Sequence, residues 1–146
     1  MLVIQIHKLP QDLANLAANA KSEGFRFLAR LDRDFRDGTN RFAKQGEALF
    51  EVRDQETLTG IGGLNIDPYA KNGRVGRVRR LYIHPEYRGN GVGKLLMSTI
   101  EQHAHCTFTE LHLRTDTRAG ALFYERLGYR RTTANPKTSH IKSLNG

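Results

Sequence analysis

With 146 residues the chain can close one compact core and has no room for a second full domain, so a single domain over residues 1–146 is expected. Its one cysteine, Cys106, excludes an intrachain disulfide, and the apolar run over residues 1–6 is too short for a signal h-region or a membrane span; together they predict a soluble, cytoplasmic protein with no membrane partner. The formal charge of +8, from 23 Lys and Arg against 15 Asp and Glu, calls for anionic partners and sets a basic nucleic-acid-binding module beside any enzyme that handles an anionic ligand.

The elements alternate along the chain. Leu2 to His7 reads as a strand. Leu13, Leu16, Ala17 and Ala20 follow helical spacing, with Pro10 and Asp12 near the start and Gly24 at the end. Phe25, Leu28, Leu31 and Phe35 continue as a second helical face ending before Gly38, and a loop runs from there to Gln45. Glu47–Arg53 and Thr57–Ile66 make a hairpin around Asp54-Gln55-Glu56, with Ala48, Phe50 and Val52 alternating against polar neighbours. After the turn Asp67–Gly73, a third strand covers Val75–Ile83, which predicts an antiparallel meander. A helix from Val92 to about His103 carries Val92, Leu95, Leu96 and Ile100 on one stripe, and Phe108–Thr115 alternates as a strand. Strand, helix, strand implies a parallel crossover. A short helix around Tyr124 follows, and Tyr129–Thr133 with His140–Leu144 forms a closing hairpin.

The most informative stretch is Leu81-Tyr82-Ile83-His84-Pro85-Glu86-Tyr87-Arg88-Gly89-Asn90-Gly91-Val92-Gly93-Lys94, where an extended apolar segment turns through a basic, glycine-dense loop into a helix. Glycines at 89, 91 and 93 let consecutive N–H groups converge, and the positive end of the helix dipole points at whatever they hold. A Walker A loop needs glycine at 88 and Ser or Thr at 95, where Arg88 and Leu95 stand. A dinucleotide fingerprint opening at Gly89 needs glycine at 94, where Lys94 stands.

The remaining pattern, Arg88-x-x-Gly91-x-Gly93, resembles the acetyl-coenzyme A loop of the GNAT superfamily of N-acyltransferases. Some thirty residues on, Ala121-Leu122-Phe123-Tyr124-Glu125-Arg126-Leu127-Gly128-Tyr129-Arg130 resembles the superfamily's second signature: a short helix with a tyrosine, ending at a glycine. There Leu122, Phe123 and Leu127 suggest the apolar face, and Gly128 suits a left-handed C′ position. The element order resembles that of the superfamily over essentially the whole chain. The implied fold is α/β (α+β): a mixed, mostly antiparallel central sheet flanked by helices and splayed at the cofactor site.

The resemblance implies acetyl transfer from acetyl-coenzyme A, as co-substrate, to a primary amine of a small molecule or peptide. An amine attacking a thioester needs a donor for the oxyanion, a route for its proton and an acid for the departing thiolate. By the resemblance, backbone groups around Leu81, Tyr82 and Ile83 hold the pantetheine arm and polarise the carbonyl. The N–H groups of Gly89, Asn90, Gly91, Val92, Gly93 and Lys94 hold the pyrophosphate, Arg88 reaches a phosphate, and the Tyr124 phenol protonates the sulfur.

Two positions depart from the family pattern. Arg77 stands where many members carry a glutamate base, leaving a water relay to Asp67, Glu110 or Asp116 as the route for the proton. Thr117 stands where an asparagine commonly contacts the cofactor; its hydroxyl can make a shorter contact. His103, His105 and Cys106 do not have the spacing of a tetrahedral zinc site, so no metal is expected. Arg74, Arg77, Arg79 and Arg80 cluster before the loop, but no helix-turn-helix, zinc-finger or RNP-type pattern accompanies them, so nucleic acid is not an expected partner and stays the alternative reading. By the resemblance, acceptor contacts fall at Asn65, Asp67, Tyr69 and residues around Phe25 to Asn40. The acceptor itself is not legible, polycationic amines are disfavoured by the basic charge, and the sequence leaves room for a homodimer.

Overall fold

The computed structural model describes residues 1–144. Strands β1 (Leu2–Ile6), β2 (Ala48–Asp54), β3 (Thr57–Ile66), β4 (Val75–Ile83), β5 (Glu110–Leu113), β6 (Arg130–Arg131) and β7 (His140–Ser143) form one sheet in the order β1-β2-β3-β4-β5-β7-β6. Every pairing is antiparallel except that of β4 with β5. Helices α1 (Leu13–Ser22) and α2 (Phe27–Asp37) follow β1; α3 (Val92–Ala104) makes the crossover from β4 to β5; α4 (Arg118–Arg126) precedes the last hairpin. This is the mixed, mostly antiparallel, helix-flanked sheet that the sequence implies.

Period-2 alternation divides the sheet's side chains between two cores. Phe50, Val52, Leu64 and Val78 meet Val92, Leu96, Met97 and Ile100 of α3, together with Tyr124 of α4. Leu49, Leu58, Ile61 and Tyr82 face Leu13, Leu16 and Ala20 of α1 and Leu28 and Leu31 of α2. Each fully buried aliphatic side chain contributes about 1.5–3 kcal/mol, so the two stripes hold the helices in place.

β4 contains the irregularity that matters for the site. The register with β3 shifts between the Ile61–Tyr82 pair and the Gly63–Arg79 pair, and Arg80 takes φ +60°. One extra residue on β4 reverses the parity of the rest of the strand. Val78 faces the α3 core before the bulge and Ile83 does so after it, while Tyr82 turns to α1 and α2.

Several bounds differ from the sequence reading. β5 is four residues rather than eight, because Phe108 is drawn into the α3 core and the Thr115 N–H donates to Ser139 Oγ at 2.9 Å instead of to a strand. α4 begins at Arg118, since the Thr117 hydroxyl accepts from the Gly120 N–H at 3.0 Å and caps it. The helix consequently buries Ala121 and Tyr124 and leaves Leu122 44% exposed, so Leu122 is not on the inward face.

Candidate active site

The pairing of β4 with β5 stops early. Val75, Gly76 and Arg77 pair with Glu110, Leu111 and His112; beyond them β4 runs on to Ile83 bonded only to β3. From Val78 onward the β5-facing edge of β4 has no strand partner, and a wedge opens with Leu81, Tyr82 and Ile83 at its wide end. An unpaired strand edge is a row of donors and acceptors ready for an extended ligand.

That edge leads into the glycine loop. His84 Nδ1 accepts from the Glu86 N–H at 3.1 Å and caps a 3₁₀ turn, Pro85–Tyr87. Gly89 and Gly91 follow at φ +83° and +81°, conformations that L side chains rarely adopt. Gly91 is the N-cap of α3 and has no side-chain cap; the first helical bond runs from the Leu95 N–H to the Gly91 carbonyl at 2.9 Å. The Val92, Gly93 and Lys94 N–H groups therefore face outward at the positive end of a 13-residue helix. A Cβ at Gly89 or Gly91 would meet nothing within 4 Å, so the cradle is open. Asn90 and Lys94 are exposed at its rim, whereas the Val92 side chain is in the core. This is a shape and a donor set that fit a pyrophosphate. Gly93 has a different reason to be glycine: a Cβ there would stand 3.0 Å from two ring carbons of Phe123.

Arg88 is braced rather than free. Its Nε donates to the Ile83 carbonyl at 2.9 Å, its two terminal nitrogens donate to the Glu23 carboxylate at 2.8 Å each, and its guanidinium lies 5.2 Å from the Tyr82 ring centre. The Tyr82 hydroxyl also donates to Glu23. The Arg88 hydrogen bonds, and then that of Tyr82, hold the Glu23 carboxyl below the usual range; burial and the bond to Glu23 push the Tyr82 phenol up to about 12. Glu23, absent from the sequence reading, thus ties the end of α1 to the glycine loop.

Tyr124 belongs to the α3 core that also holds Ile83 of β4 and Leu113 of β5, its ring edge-on to Phe123 and Tyr129 at 5.0 and 5.6 Å. Its hydroxyl has no hydrogen-bond partner among the described residues. Burial of the ring pushes the phenol well above its ordinary value, so it is protonated at any physiological pH. Its acidity is therefore further from that of a thiol than the sequence suggests. Thr117 stands at the α4 N-terminus with its oxygen already accepting the capping bond.

The candidate proton acceptors are all engaged. Asp67 is 2% exposed and lies 3.5 Å from Arg77 and 3.3 Å from His112 Nδ1, while His112 Nε2 is 2.9 Å from Glu110. Arg77 also donates to Thr138 Oγ1 at 3.2 Å and to the Lys137 carbonyl, and lies 4.8 Å over the Tyr69 ring. Asp67, Tyr69, Glu110, His112 and Thr138 line a cavity of about 150 Å³ at the closed end of the wedge. Asp116 is 79% exposed and paired with Arg114 at 3.2 Å. Asn65 is 4% exposed and already engaged, exchanging bonds with Asn40 at 2.9 and 3.0 Å and donating to Glu47 at 3.0 Å. On the α1–α2 side of the wedge, Gly24, Phe25, Arg26, Phe27 and Arg30 face Asp116 across a second cavity of about 260 Å³. The Phe25 and Phe27 rings pack edge-on against Tyr82, at 6.4 and 6.2 Å, which places this cavity beside the wide end of the wedge.

Among the described residues no group of three His, Cys, Asp or Glu is placed to hold a metal, and no helix is long and apolar enough to cross a membrane. His103 packs edge-on against Phe50 at 5.7 Å.

The geometry agrees with what the chain is similar to. The family model of the acetyltransferase (GNAT) domain matches residues 45–131, from just before β2 through β6. A crystal structure assigned as an acetyltransferase from Exiguobacterium sp. 255-15 is 25% identical, superposes with a TM-score of 0.87, and aligns over 99% of this chain and 93% of that one. An acetyltransferase from Streptococcus agalactiae 2603 is 20% identical with a TM-score of 0.76, over 97% of both chains. A chimera of spermidine N-acetyltransferase SpeG from Vibrio cholerae and hSSAT is 15% identical with a TM-score of 0.69, over 99% of this chain and 98% of that one. No curated protein matches the chain in sequence. With the family model covering more than half of its residues and the splayed sheet, glycine cradle and tyrosine helix in place, the chain belongs to the GNAT acetyltransferases.

Proposed function

We propose that the chain is an acetyl-coenzyme A-dependent N-acetyltransferase acting on a primary amine of a small molecule or peptide. The observation that carries this reading is the end of β4–β5 pairing at Arg77 and His112, which leaves an unpaired strand edge running directly into an open glycine cradle. The outward N–H groups of Val92, Gly93 and Lys94, with the loop Gly89-Asn90-Gly91, bind the pyrophosphate. The edge at Leu81, Tyr82 and Ile83 binds the pantetheine amides and supplies an N–H to the thioester oxygen. Arg88 serves as the brace that holds this loop, and Thr117 lies beside the entering arm.

The thioester supplies the activated acetyl group. As the amine nitrogen bonds to the carbonyl carbon, the carbon–sulfur bond breaks and the thiolate takes its proton from the Tyr124 hydroxyl. The amine's proton passes to water, since each carboxylate near the wedge is engaged by an arginine or a histidine. Calorimetric titration decides the cofactor: acetyl-coenzyme A binds, and ATP and NAD at equal concentration do not. Binding of either nucleotide without acetyl-coenzyme A contradicts the reading.

A further inference from the structure

The α1–α2 side of the wedge carries a concentration of positive charge that the cofactor contacts proposed above leave unused. Arg26 and Arg30 line the cavity of about 260 Å³ and are exposed, and among the described residues nothing pairs with either guanidinium. Arg80 of β4 stands within electrostatic reach of Arg30, Arg33 and Arg79. It reaches Asp34 of α2 only at 3.9 Å, Arg33 takes the same carboxylate at 3.2 Å, and Arg79 has no partner among the described residues. One carboxylate is therefore shared among neighbouring arginines. Burial and the field of Arg79 lower the Arg80 guanidinium, and Arg30 and Arg33 act in the same direction against Asp34. Across the cavity, Asp116 is already neutralised by Arg114. The positive end of α2 adds a field of the same sign. Such an excess of like charge is unfavourable unless an anion sits among it.

The cavity's size and walls narrow the ligand further. Its volume is below the ~300–1,000 Å³ that holds a drug-sized molecule. Phe25 and Phe27 wall it on one side and pack against Tyr82, so a compact ligand held there has its far end at the wide end of the wedge.

Resting on the acetyltransferase reading, we propose that the acceptor is a compact primary amine bearing a carboxylate or a phosphate, with that anion bound by Arg26 and Arg30 and its amine directed past Tyr82 toward the thioester. A polyamine has the wrong sign for this cavity. The assignment separates the chain from the spermidine acetyltransferase chimera whose fold it shares.

The test compares amines that differ only at the end remote from the nitrogen. Turnover, read as thiol release from acetyl-coenzyme A, is measured for 4-aminobutyrate, n-butylamine and 1,4-diaminobutane, and for O-phosphoethanolamine against ethanolamine. The anionic member of each set should exceed the neutral one in kcat/KM by about 10-fold or more, as expected for one charge-assisted hydrogen bond, and the diamine should be slowest. Which anionic member is faster distinguishes carboxylate from phosphate. Arg30→Ala and Arg26→Ala, both at exposed positions, should each remove about 10-fold of that preference through KM, while acetyl-coenzyme A affinity stays unchanged. The proposal is overturned if the neutral or dicationic amine is the better acceptor, or if both alanine variants keep the full anionic preference. It is overturned equally if Arg30→Ala weakens binding of mixed-sequence RNA but leaves every small amine untouched. Where no amine turns over, NMR titration of the same compounds onto the acetyl-coenzyme A complex decides by affinity order. Should acetyl-coenzyme A itself not bind, the enzyme reading fails separately, and titration onto the free protein still reports whether the arginine cavity takes the anionic amines.

Discussion

Glu23, at the end of α1, accepts one hydrogen bond at 2.8 Å from each terminal nitrogen of Arg88 in the glycine loop, 65 residues later. The pair locks the corner beside the Arg26–Arg30 cavity to the corner that starts the glycine cradle, and the Tyr82 hydroxyl also bonds Glu23. A planar fork held at three points is not replaceable by a point charge. Arg88→Lys should therefore weaken acetyl-coenzyme A binding nearly as much as Arg88→Ala, each by about 10-fold, the worth of one charge-assisted bond. Calorimetry on the two variants checks this. Near-wild-type affinity in the lysine variant would show that Arg88 acts as a phosphate contact instead.

The same pair makes a prediction in pH. The Glu23 carboxyl is depressed below its ordinary 4.5 in the folded protein, chiefly by Arg88. Its contribution to stability is thus fully present above pH 4.5 and is lost as pH falls through the lower folded value. Asp12, bonded twice by Arg53 at 3.0 and 2.9 Å, behaves alike. Denaturant unfolding of wild type and Glu23→Gln should run parallel from pH 7 to pH 5, with wild type losing stability more steeply below that. Parallel curves throughout would mean the pair contributes nothing to folding.

Gly91 and Gly93 should fail in different ways when substituted. At Gly91 the space is open, so Gly91→Ala costs about 1–2 kcal/mol from its left-handed backbone alone and still fills the cradle, lowering acetyl-coenzyme A affinity. At Gly93 the added atoms meet Phe123, so Gly93→Val should cost about 1–3 kcal/mol by overpacking. In a double-mutant cycle with Phe123→Ala, the Gly93→Val loss should shrink by at least about 0.5 kcal/mol. Strict additivity would place the clash elsewhere.

Tyr124→Phe removes a proton donor and keeps the ring packing. Because burial raises the phenol, its contribution is sized as a hydrogen bond to a developing thiolate, about 1.5–3 kcal/mol, or roughly 10- to 100-fold in turnover. Melting temperature and acetyl-coenzyme A affinity should stay near wild type. Unchanged turnover under conditions where chemistry limits the rate would return Tyr124 to a packing role.

What could be read from the sequence was local. The bounds of β3 and β4 agree with the reading because an alternating pattern and a short turn specify them. The glycine loop and the tyrosine helix were legible because their residue types answer to backbone conformation and helix ending. The wedge was implied only by resemblance, since it arises from where β4 stops pairing with a strand more than thirty residues on. Glu23 was invisible because its partners are 59 and 65 residues away. Asn65 and Asp67 looked free for an acceptor, yet Asn40, Glu47, Arg77 and His112 converge on them from distant segments. The run Arg74, Arg77, Arg79, Arg80 read as one basic block, but Arg77 is drawn to Asp67 and the bulge at Arg80 turns it toward Asp34.

The central claim, that acetyl-coenzyme A enters the wedge with its pyrophosphate on the glycine cradle, is tested most directly by backbone amide NMR during titration with that ligand. The largest shifts are expected at Tyr82, Ile83, Gly89, Gly91, Val92, Gly93 and Lys94, with smaller ones at Thr117 and Tyr124, and their loss in Gly91→Val. Saturable shifts confined to the α2 arginines or to the Asp67–His112 cavity, with the cradle amides unmoved, would contradict it.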